Sequence, residues 1–290
     1  MKITDIVRSG KPSLSFEVFP PKTSDKFESV LSAAAGIANL SPSFMSVTYG
    51  AGGGTSDYTA DICAALSKRG VTPLAHLTCV SSDRARIREE LEKLKKQGVE
   101  NILALRGDLP QGDLPQGDLP QGDFRHASEL AAEISAFGGF CIGGACYPEG
   151  HPESADSKAD LEGLRAKIEN GCEFLTTQMF FDNNILYNFL YRFLNAGLHV
   201  PVIPGVMPVT NAVQIKRICS ISASALPQRF VRIVDRYGSN PAAMKQAGIA
   251  YATEQIIDLF ANGINAVHVY SMNKPDVAAA IQANLSEILK

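Results

Sequence analysis

The chain has 290 residues, of which 45% are hydrophobic, enough to bury a large core as one big domain or two small ones. Its 27 basic and 30 acidic residues give a formal net charge of -3, which argues against a nucleic-acid-binding protein. No apolar run approaches the roughly 18 to 20 residues that span a bilayer, and the first residues lack the apolar core of a signal peptide. We therefore expect a cytoplasmic protein with no nucleic-acid or membrane partner.

The cysteines do not form a recognisable metal or disulfide pattern. No Cys-x-x-Cys pair occurs, and several of the cysteines lie inside apolar strand or helix patterns, where Cys behaves as a small hydrophobic residue. We predict buried thiols, with neither disulfides nor zinc, at Cys63, Cys79, Cys141, Cys146, Cys172 and Cys219.

Strand and helix patterns alternate along the chain after a short polar lead. The strand candidates are runs rich in apolar residues, the first of which ends at two prolines. They cover residues 13–21, 44–50, 72–80, 101–105, 140–148, 174–181, 202–209 and 266–273. The helix candidates cover residues 24–40, 56–68, 83–97, 124–137, 154–170, 184–196, 211–220 and 241–261, with a further helix after Lys274. An irregular stretch is expected from the end of 211–220 to about Asn240.

This alternation predicts a single-domain (β/α)8 TIM barrel over residues 1–290. A doubly wound sheet is the alternative. It fits less well, because no strand is followed by the G-x-G-x-x-G turn of dinucleotide-binding domains, and the Walker A pattern is absent too.

The fourth strand candidate ends in Arg106-Gly-Asp108, and three Leu-Pro-Gln-Gly-Asp units follow at 109–123. Arg supplies a planar cation and Asp an anion, while the glycine between them lets a ligand approach the backbone closely. The repeats are too short and too few for a solenoid. We interpret them as a duplicated insertion in a loop at the top of the barrel.

Polar residues gather where the strand candidates end, and strand ends form the active site of a barrel enzyme. They are Glu17, Thr48, Tyr49, His76, Arg106, Asp108, Tyr147, Glu149, His151, Gln178, Asp182, Tyr270 and Lys274. Taken singly, His76 and Gln178 are more often hydrogen-bonded core residues. Glu17 is different, because burial between Phe16, Val18 and Phe19 would raise the pKa of its carboxyl, as a general acid requires.

Two other barrel chemistries have weaker support. No strand candidate contains an internal lysine that would form a Schiff base. A metal-dependent hydrolase would have to use Glu17, His76, Asp108 and His151, yet no His-x-His or His-Glu-x-x-His spacing appears. We therefore predict no metal site.

Seven motifs in chain order resemble those of the bacterial 5,10-methylenetetrahydrofolate reductase family. Each is weak alone, but together they run through nearly the whole chain in phase with the barrel. They are Ser15-Phe-Glu17-Val-Phe-Pro-Pro21, Val47-Thr-Tyr-Gly50, Ala75-His-Leu-Thr78, Leu105-Arg-Gly-Asp108, Tyr147-Pro-Glu-Gly-His-Pro-Glu153, Thr177-Gln-Met-Phe-Phe-Asp182 and Ile203-Pro-Gly-Val-Met-Pro208.

The resemblance implies a barrel that binds FAD and reduces methylenetetrahydrofolate to 5-methyltetrahydrofolate by a ping-pong mechanism, supplying methyl groups for methionine synthesis. The hydride donor would be NADH, as in the bacterial enzymes, although preference over NADPH is open. Glu17 would be the general acid that helps open the folate ring to an iminium cation. Asp108 would stabilise the positive charge that develops. Gln178 would orient the pterin, and Tyr270 and Lys274 are further expected substrate contacts.

The resemblance implies flavin contacts at the strand ends and on the loops and helices that follow them. They are Thr48, Tyr49, Ala51, His76, Arg106, Gly107, Asp108, Ala127, Tyr147, His151, Asp160 and Lys167. Arg106, Lys167 and His151 would meet the diphosphate, and Asp160 a ribose hydroxyl. A homo-oligomer is expected from the same likeness.

Two positions depart from the family pattern. The residue after Asn211 is Ala212, where the family often has a bulky apolar residue that stacks on a substrate, and Lys274 lies where Arg is common. A flavin-binding barrel without folate activity and a barrel resembling proline dehydrogenase are competing hypotheses. Glu17, Asp108 and Gln178 argue against the first, and the two prolines after Glu17 do not support the second.

Overall fold

The computed structural model describes residues 1–21, 23–49, 56–107, 122–213, 215, 218–219 and 224–290. Within these residues all strands belong to one parallel sheet. The strands are β1 (Ser13–Val18), β2 (Met45–Val47), β3 (Pro73–Thr78), β4 (Asn101–Leu105), β5 (Cys141–Cys146), β6 (Cys172–Thr177), β7 (Val202–Ile203), β8 (Gly205–Val206) and β9 (Ala266–Val269). The sheet order is β7-β6-β5-β4-β3-β2-β1-β9-β8.

The short segments β7 and β8 close this sheet into a barrel. β7 pairs with β6 on one side, and β8 pairs with β9 on the other. Pro204 separates them because proline has no amide hydrogen, but its carbonyl accepts a hydrogen bond from His268 N at 2.8 Å. The two segments therefore fill one strand position, and the predicted (β/α)8 fold is confirmed. The prediction of one continuous strand over 202–209 is wrong.

Helices follow the strands around the outside of the sheet, except for the first helix, which precedes β1. In the described residues they are α1 (Ile3–Arg8), α2 (Phe27–Ala38), α3 (Ser56–Lys68), α4 (Arg84–Lys96), α5 (Ala127–Phe137), α6 (Ser157–Glu169), α7 (Asn183–Asn195), α8 (Gln228–Tyr237), α9 (Pro241–Ala261) and α10 (Pro275–Asn284). A 3-10 turn, Ser24–Lys26, precedes α2. The predicted helix 211–220 lies only partly within the described residues.

The prediction of an irregular stretch up to Asn240 is wrong, because α8 lies within it. Only Phe230 is fully buried in this helix; Val231, Ile233 and Val234 are half-buried, and Tyr237 is exposed. Phe230, Ile233, Val234 and Tyr237 stand at i, i+3, i+4 and i+7, the spacing of an amphipathic helix, so the sequence contained a signal that the prediction missed.

Helix α1 corrects the prediction of a polar lead, because it closes the amino-terminal end of the barrel. Ile3 is fully buried among the first inward-facing residues of several strands, including Phe44, Leu74 and Phe174. Its amide donates a 2.9 Å hydrogen bond to Asn101 Oδ1, and Asn101 Nδ2 donates to Met1 O at 3.0 Å.

Several predicted boundaries move by a few residues. β6 covers Cys172–Thr177 instead of 174–181, and Phe180 and Phe181 are buried without belonging to the strand. α5 and α6 begin three residues later than predicted, after His126 and Asp156. An apolar run marks burial, whereas a strand ends where its hydrogen-bonded ladder ends.

The inward-facing positions change from apolar to polar along the barrel axis. Side chains two residues apart on a strand share a face. Two residues beyond the apolar Phe44, Leu74, Phe174 and Ala266, the same strands carry Ser46, His76, Thr176 and His268, all buried. A polar layer therefore lies directly above the apolar bottom of the barrel.

Candidate active site

Glu17 lies on β1 inside the barrel and is only 6% exposed. Burial raises the pKa of its carboxyl to about 8, although a hydrogen bond from Ser46 opposes that change. Ser46 Oγ donates to Glu17 Oε2 at 3.3 Å. The carboxyl is therefore mostly protonated at neutral pH, as the apolar residues around it predict.

Ser46 connects Glu17 to a buried histidine. Its Oγ is 3.0 Å from His268 Nε2, and His268 Nδ1 is 2.8 Å from Ser15 Oγ. Ser15 Oγ also donates to Val267 O at 3.2 Å. Burial lowers the pKa of His268 to about 3, so its ring is neutral and one of its nitrogens must accept.

His76 on β3 approaches the same carboxyl oxygen as Ser46. Its Nε2 lies 3.6 Å from Glu17 Oε2, and both side chains are more than nine-tenths buried. Burial lowers the pKa of His76 to about 3. The contact is therefore not an ion pair near pH 7, because both partners are neutral. Among the described residues His76 Nε2 has no hydrogen-bond partner.

Tyr270 lies just beyond β9 and spans the interior of the barrel. Its hydroxyl donates a 2.5 Å hydrogen bond to Thr177 O at the end of β6. Its pKa lies well above the usual range, because of burial and then the nearby Glu17. Gly205 makes this contact possible, since a Cβ there would overlap the Tyr270 ring and lie 2.6 Å from Thr177 O.

Arg106, predicted to meet a cofactor diphosphate, follows β4 and pairs with Glu153 on the β5–α6 loop. Its two terminal nitrogens donate to the two carboxylate oxygens at 2.6 and 2.7 Å. The guanidinium holds the pKa of Glu153 below its usual range. Gly107 follows with φ of 92°, and a Cβ there would lie 2.8 Å from Val80 Cγ1.

The β5–α6 region holds the other predicted diphosphate and ribose contacts. Lys167 Nζ donates to Ala145 O at 2.6 Å, and burial lowers the pKa of this amine. The His151 ring meets Tyr147 edge-on with 4.7 Å between centroids. Asp160 Oδ1 accepts from His151 N at 3.3 Å, so one of its oxygens already organises this loop.

Three further predicted flavin contacts occupy ordinary backbone settings. Thr48 is the residue after β2, and its amide donates a hydrogen bond to Val18 O. Tyr49 packs against the main hydrophobic core. Ala127 is the first residue of α5. Ala51 and Asp108, predicted to bind flavin, and the repeat residues up to position 121 lie outside the described residues.

The predicted folate contacts lie near the ends of β6 and β9. The Gln178 amide bonds to Cys146 O at 2.7 Å, and its side-chain Oε1 accepts from Met179 N at 3.0 Å. Lys274 Nζ donates to Thr210 Oγ1 at 2.7 Å. Lys274 and Thr210 line a small depression together with Met207 and Val209. Ala212 packs against the apolar cluster that includes Met207 and Val209.

Gln178 does not line this depression. Gln178 belongs to the neighbouring end of β6, next to Thr177. The structure therefore places the two predicted folate contacts at separate strand ends.

Metal and membrane alternatives receive no support from the described part of the chain. No group of three or more His, Cys, Asp or Glu side chains there is arranged to hold a metal ion. No described helix is long and apolar enough to cross a bilayer. All the cysteines are free, and Cys219 is half-buried instead of buried as predicted.

The sequence analysis missed Ser15, Ser46, His268 and Glu153. Ser15, Ser46 and His268 are polar residues inside otherwise apolar strands, at the period of two that marks an inward face. That signal was available, whereas the pairing of Arg106 with Glu153 depends on the loop conformation.

Comparison with known proteins agrees with this geometry. A family model described as methylenetetrahydrofolate reductase matches residues 2–286. The chain belongs to the methylenetetrahydrofolate reductase family. It is 34% identical to the 5,10-methylenetetrahydrofolate reductase of Pectobacterium carotovorum, covering 94% of this chain and 89% of that protein. The Escherichia coli reductase is 32% identical over 94% of this chain and 90% of its own length. The chain is therefore an enzyme of this family.

Other members are longer. "Methylenetetrahydrofolate reductase (NADH) 1" of Arabidopsis thaliana is 32% identical over 99% of this chain, which spans 50% of that protein. Among solved structures, an uncharacterised Clostridium thermocellum protein that binds two copies of 5-methyl-5,6,7,8-tetrahydrofolic acid matches with a TM-score of 0.68. Its identity is 13% over 99% of both chains, so this match supports the fold alone.

Proposed function

We propose that this reductase uses bound FAD to transfer hydride from NADH to methylenetetrahydrofolate, in two half-reactions at one site. The product is 5-methyltetrahydrofolate, which supplies methyl groups for methionine synthesis. The names of the bacterial relatives support the folate substrate, and the names of the plant relatives support NADH. One catalytic domain over residues 1–290 and assembly into a homo-oligomer remain predictions.

The observation that carries the acid chemistry is the protonated, buried carboxyl of Glu17. Its pKa of about 8 keeps a proton available at neutral pH, where an ordinary glutamate would have lost it. Opening the five-membered ring of the folate requires a proton on the departing nitrogen. We propose that the Glu17 carboxyl, which is buried inside the barrel, supplies this proton.

The hydrogen bonds around Ser46 allow Glu17 to lose and regain its proton. When Glu17 is ionised, Ser46 donates to it, and His268 then donates from Nε2 to Ser46 and accepts at Nδ1 from Ser15. When Glu17 is protonated, the Ser46 hydroxyl can donate to His268 Nε2, and Nδ1 then donates to Ser15. Both arrangements keep His268 neutral, as its pKa requires.

The residues at the ends of β4 and β5 fit a dinucleotide cofactor. Arg106, Lys167 and His151 would bring basic groups to one side of the barrel mouth. Burial lowers the pKa of Lys167, and an anionic partner would oppose that change. Arg106 would bind the diphosphate either while it keeps its contact with Glu153 or in place of that contact. When bound, FAD supplies the hydride acceptor and donor of the two half-reactions.

Residues at the other side of the mouth fit the folate. Gln178 follows β6 beside the Tyr270–Thr177 contact, where an amide can pair with the edge of a pterin. Lys274 is held by Thr210 near the surface, where an ammonium can meet the carboxylates of a glutamate tail. Asp108 remains the proposed stabiliser of positive charge.

An anaerobic absorbance experiment tests the proposal. The purified protein is loaded with FAD, reduced by NADH and then mixed with methylenetetrahydrofolate. We expect the flavin bands to bleach with NADH and to recover with the folate. A protein that binds no FAD contradicts the cofactor, and one whose flavin bleaches but never recovers with the folate is a flavin enzyme with another electron acceptor.

A further inference from the structure

The unusual feature of the barrel interior is a buried histidine nitrogen that faces a buried acid without bonding to it. His76 Nε2 has no hydrogen-bond partner among the described residues, and Glu17 Oε2 lies 3.6 Å away. A buried polar atom without a partner is costly, and such atoms are rare in folded proteins. A movement of roughly 0.5 Å would bring these two atoms to hydrogen-bond distance.

The Ser46 hydroxyl donates to ionised Glu17, and it can accept from protonated Glu17 only while its own proton points to His268 Nε2. This hydroxyl carries one proton and lies between Glu17 Oε2 at 3.3 Å and His268 Nε2 at 3.0 Å. When that proton points to Glu17, it stabilises the ionised carboxylate. The protonated carboxyl instead needs an acceptor, and the unpaired Nε2 of neutral His76 faces the same oxygen.

We propose that His76 is a positioning residue for the catalytic acid: its Nε2 accepts a hydrogen bond from protonated Glu17, while Ser46 donates to the ionised form. The two neighbours therefore act in opposite directions on one oxygen. His76 stabilises the protonated carboxyl between turnovers, and Ser46 stabilises the carboxylate by donating a hydrogen bond after the proton has left. This role is additional to the flavin contact expected of His76, and it rests on the proposed function only for the use of Glu17 as the acid.

Other titratable groups near Glu17 do not offer this partnership. Besides His76 from β3, the titratable groups near Glu17 among the described residues are His268 and Tyr270 on the β9 side. His268 reaches Glu17 only through Ser46, and the Tyr270 hydroxyl donates to Thr177 O. Asp108, after β4, lies outside the described residues.

The test is a pH titration of Glu17 by infrared difference spectroscopy on cofactor-free protein. Spectra of the protein minus those of its Glu17→Gln counterpart isolate the carbonyl band of this one acid. The titration is repeated in His76→Asn, His76→Gln and Ser46→Ala backgrounds. Gln extends an amide to about the position of Nε2, whereas Asn does not reach it.

We expect His76→Asn to lower the midpoint by about half to one pH unit, roughly three- to tenfold in the ionisation constant, and to raise the carbonyl stretching frequency of the acid form. His76→Gln should restore most of both properties. Ser46→Ala should raise the midpoint. The control is Glu149, whose pKa is also raised by burial but whose carboxylate accepts from Ala225 N. Its band, isolated with Glu149→Gln, should not respond to His76.

An unchanged midpoint and band in His76→Asn would overturn the proposal, and so would a midpoint that rises, since His76 would then be a donor to the ionised form. If His76→Asn does not fold, a His76→Gln protein with the Glu17 band of the unmodified protein supports the proposal, and one with the band of a free acid overturns it. Because no cofactor or folate is present, the result is independent of whether the proposed reaction occurs.

Discussion

Ser46 Oγ lies 3.3 Å from Glu17 Oε2, and the two residues are directly opposite each other in the β1–β2 ladder. Backbone pairing therefore sets the position of the hydroxyl that serves the acid. Ser46 Oγ also lies within hydrogen-bond distance of His268, which is on β9, the neighbour of β1 on its other side. Three neighbouring strands thus hold the proton-carrying groups in fixed order.

The raised pKa of Glu17 predicts a pH-dependent loss of stability. Its pKa rises from 4.5 to about 8 on folding, so between these values the folded protein binds more protons than the unfolded chain. The free energy of unfolding therefore falls as pH rises from about 4.5, and the full loss is reached above about 8. Glu17→Gln removes this dependence and should be more stable by about 2 to 3 kcal/mol at pH 7.

Urea denaturation of both proteins at pH 5 and pH 8 checks this prediction. Both buried histidines are neutral in the folded protein at pH 5 and at pH 8, because their pKa values are about 3. A change in the difference between the two proteins therefore reports the ionisation of Glu17. A gap in unfolding free energy that does not widen from pH 5 to pH 8 would show that Glu17 ionises normally in the folded state.

The ion pair between Arg106 and Glu153 predicts competition with an anionic cofactor. Glu153→Gln leaves the guanidinium without its carboxylate partner, and we expect FAD to bind roughly three- to tenfold more tightly at low salt. Flavin fluorescence titrations at two salt concentrations measure this effect. Glu162→Gln, on the exposed part of α6, is the matched control. Weaker FAD binding in Glu153→Gln would mean that Glu153 orients Arg106 for the cofactor.

The close approach at Gly205 predicts a strong effect of one added methyl group. A Cβ there would overlap Tyr270 and crowd Thr177 O, so Gly205→Ala should cost about 2 to 4 kcal/mol or displace Tyr270. Gly163 lies on the exposed side of α6 with nothing within 4 Å, and Gly163→Ala should stabilise the protein by about 0.5 to 1 kcal/mol. Thermal unfolding measures the stability of both variants, and tyrosine absorbance reports whether Tyr270 has been displaced. Equal stability would show that the barrel relaxes around Gly205.

Local patterns predicted most of the fold. Apolar runs and helix-terminal residues located every barrel strand, and the bounds of α3 and α9 agree with those predicted. The interruption at Pro204 and the end of β6 at Thr177 depend on ladder hydrogen bonds, which an apolar run does not encode. α1 was missed because its six residues carry a short apolar face. α8 was missed although its apolar residues have helical spacing.

The candidate site was predictable to a different degree. Burial of Glu17 and the consequent rise in its pKa follow from Phe16 and Val18 on either side of it. Its relation to His76 and Ser46 does not, because it depends on strand register between residues far apart in the chain. The roles of Asp108 and Ala51 stay predictions, since both lie outside the described residues.

The most direct test of Glu17 as the proton donor is a comparison of the two half-reactions in Glu17→Gln. Stopped-flow absorbance follows bleaching of the flavin by NADH, and then its recovery with methylenetetrahydrofolate. The account predicts nearly unchanged bleaching and a recovery slowed by about 10² to 10⁴. Recovery within a few-fold of the unmodified enzyme would contradict the assignment of Glu17 as the acid.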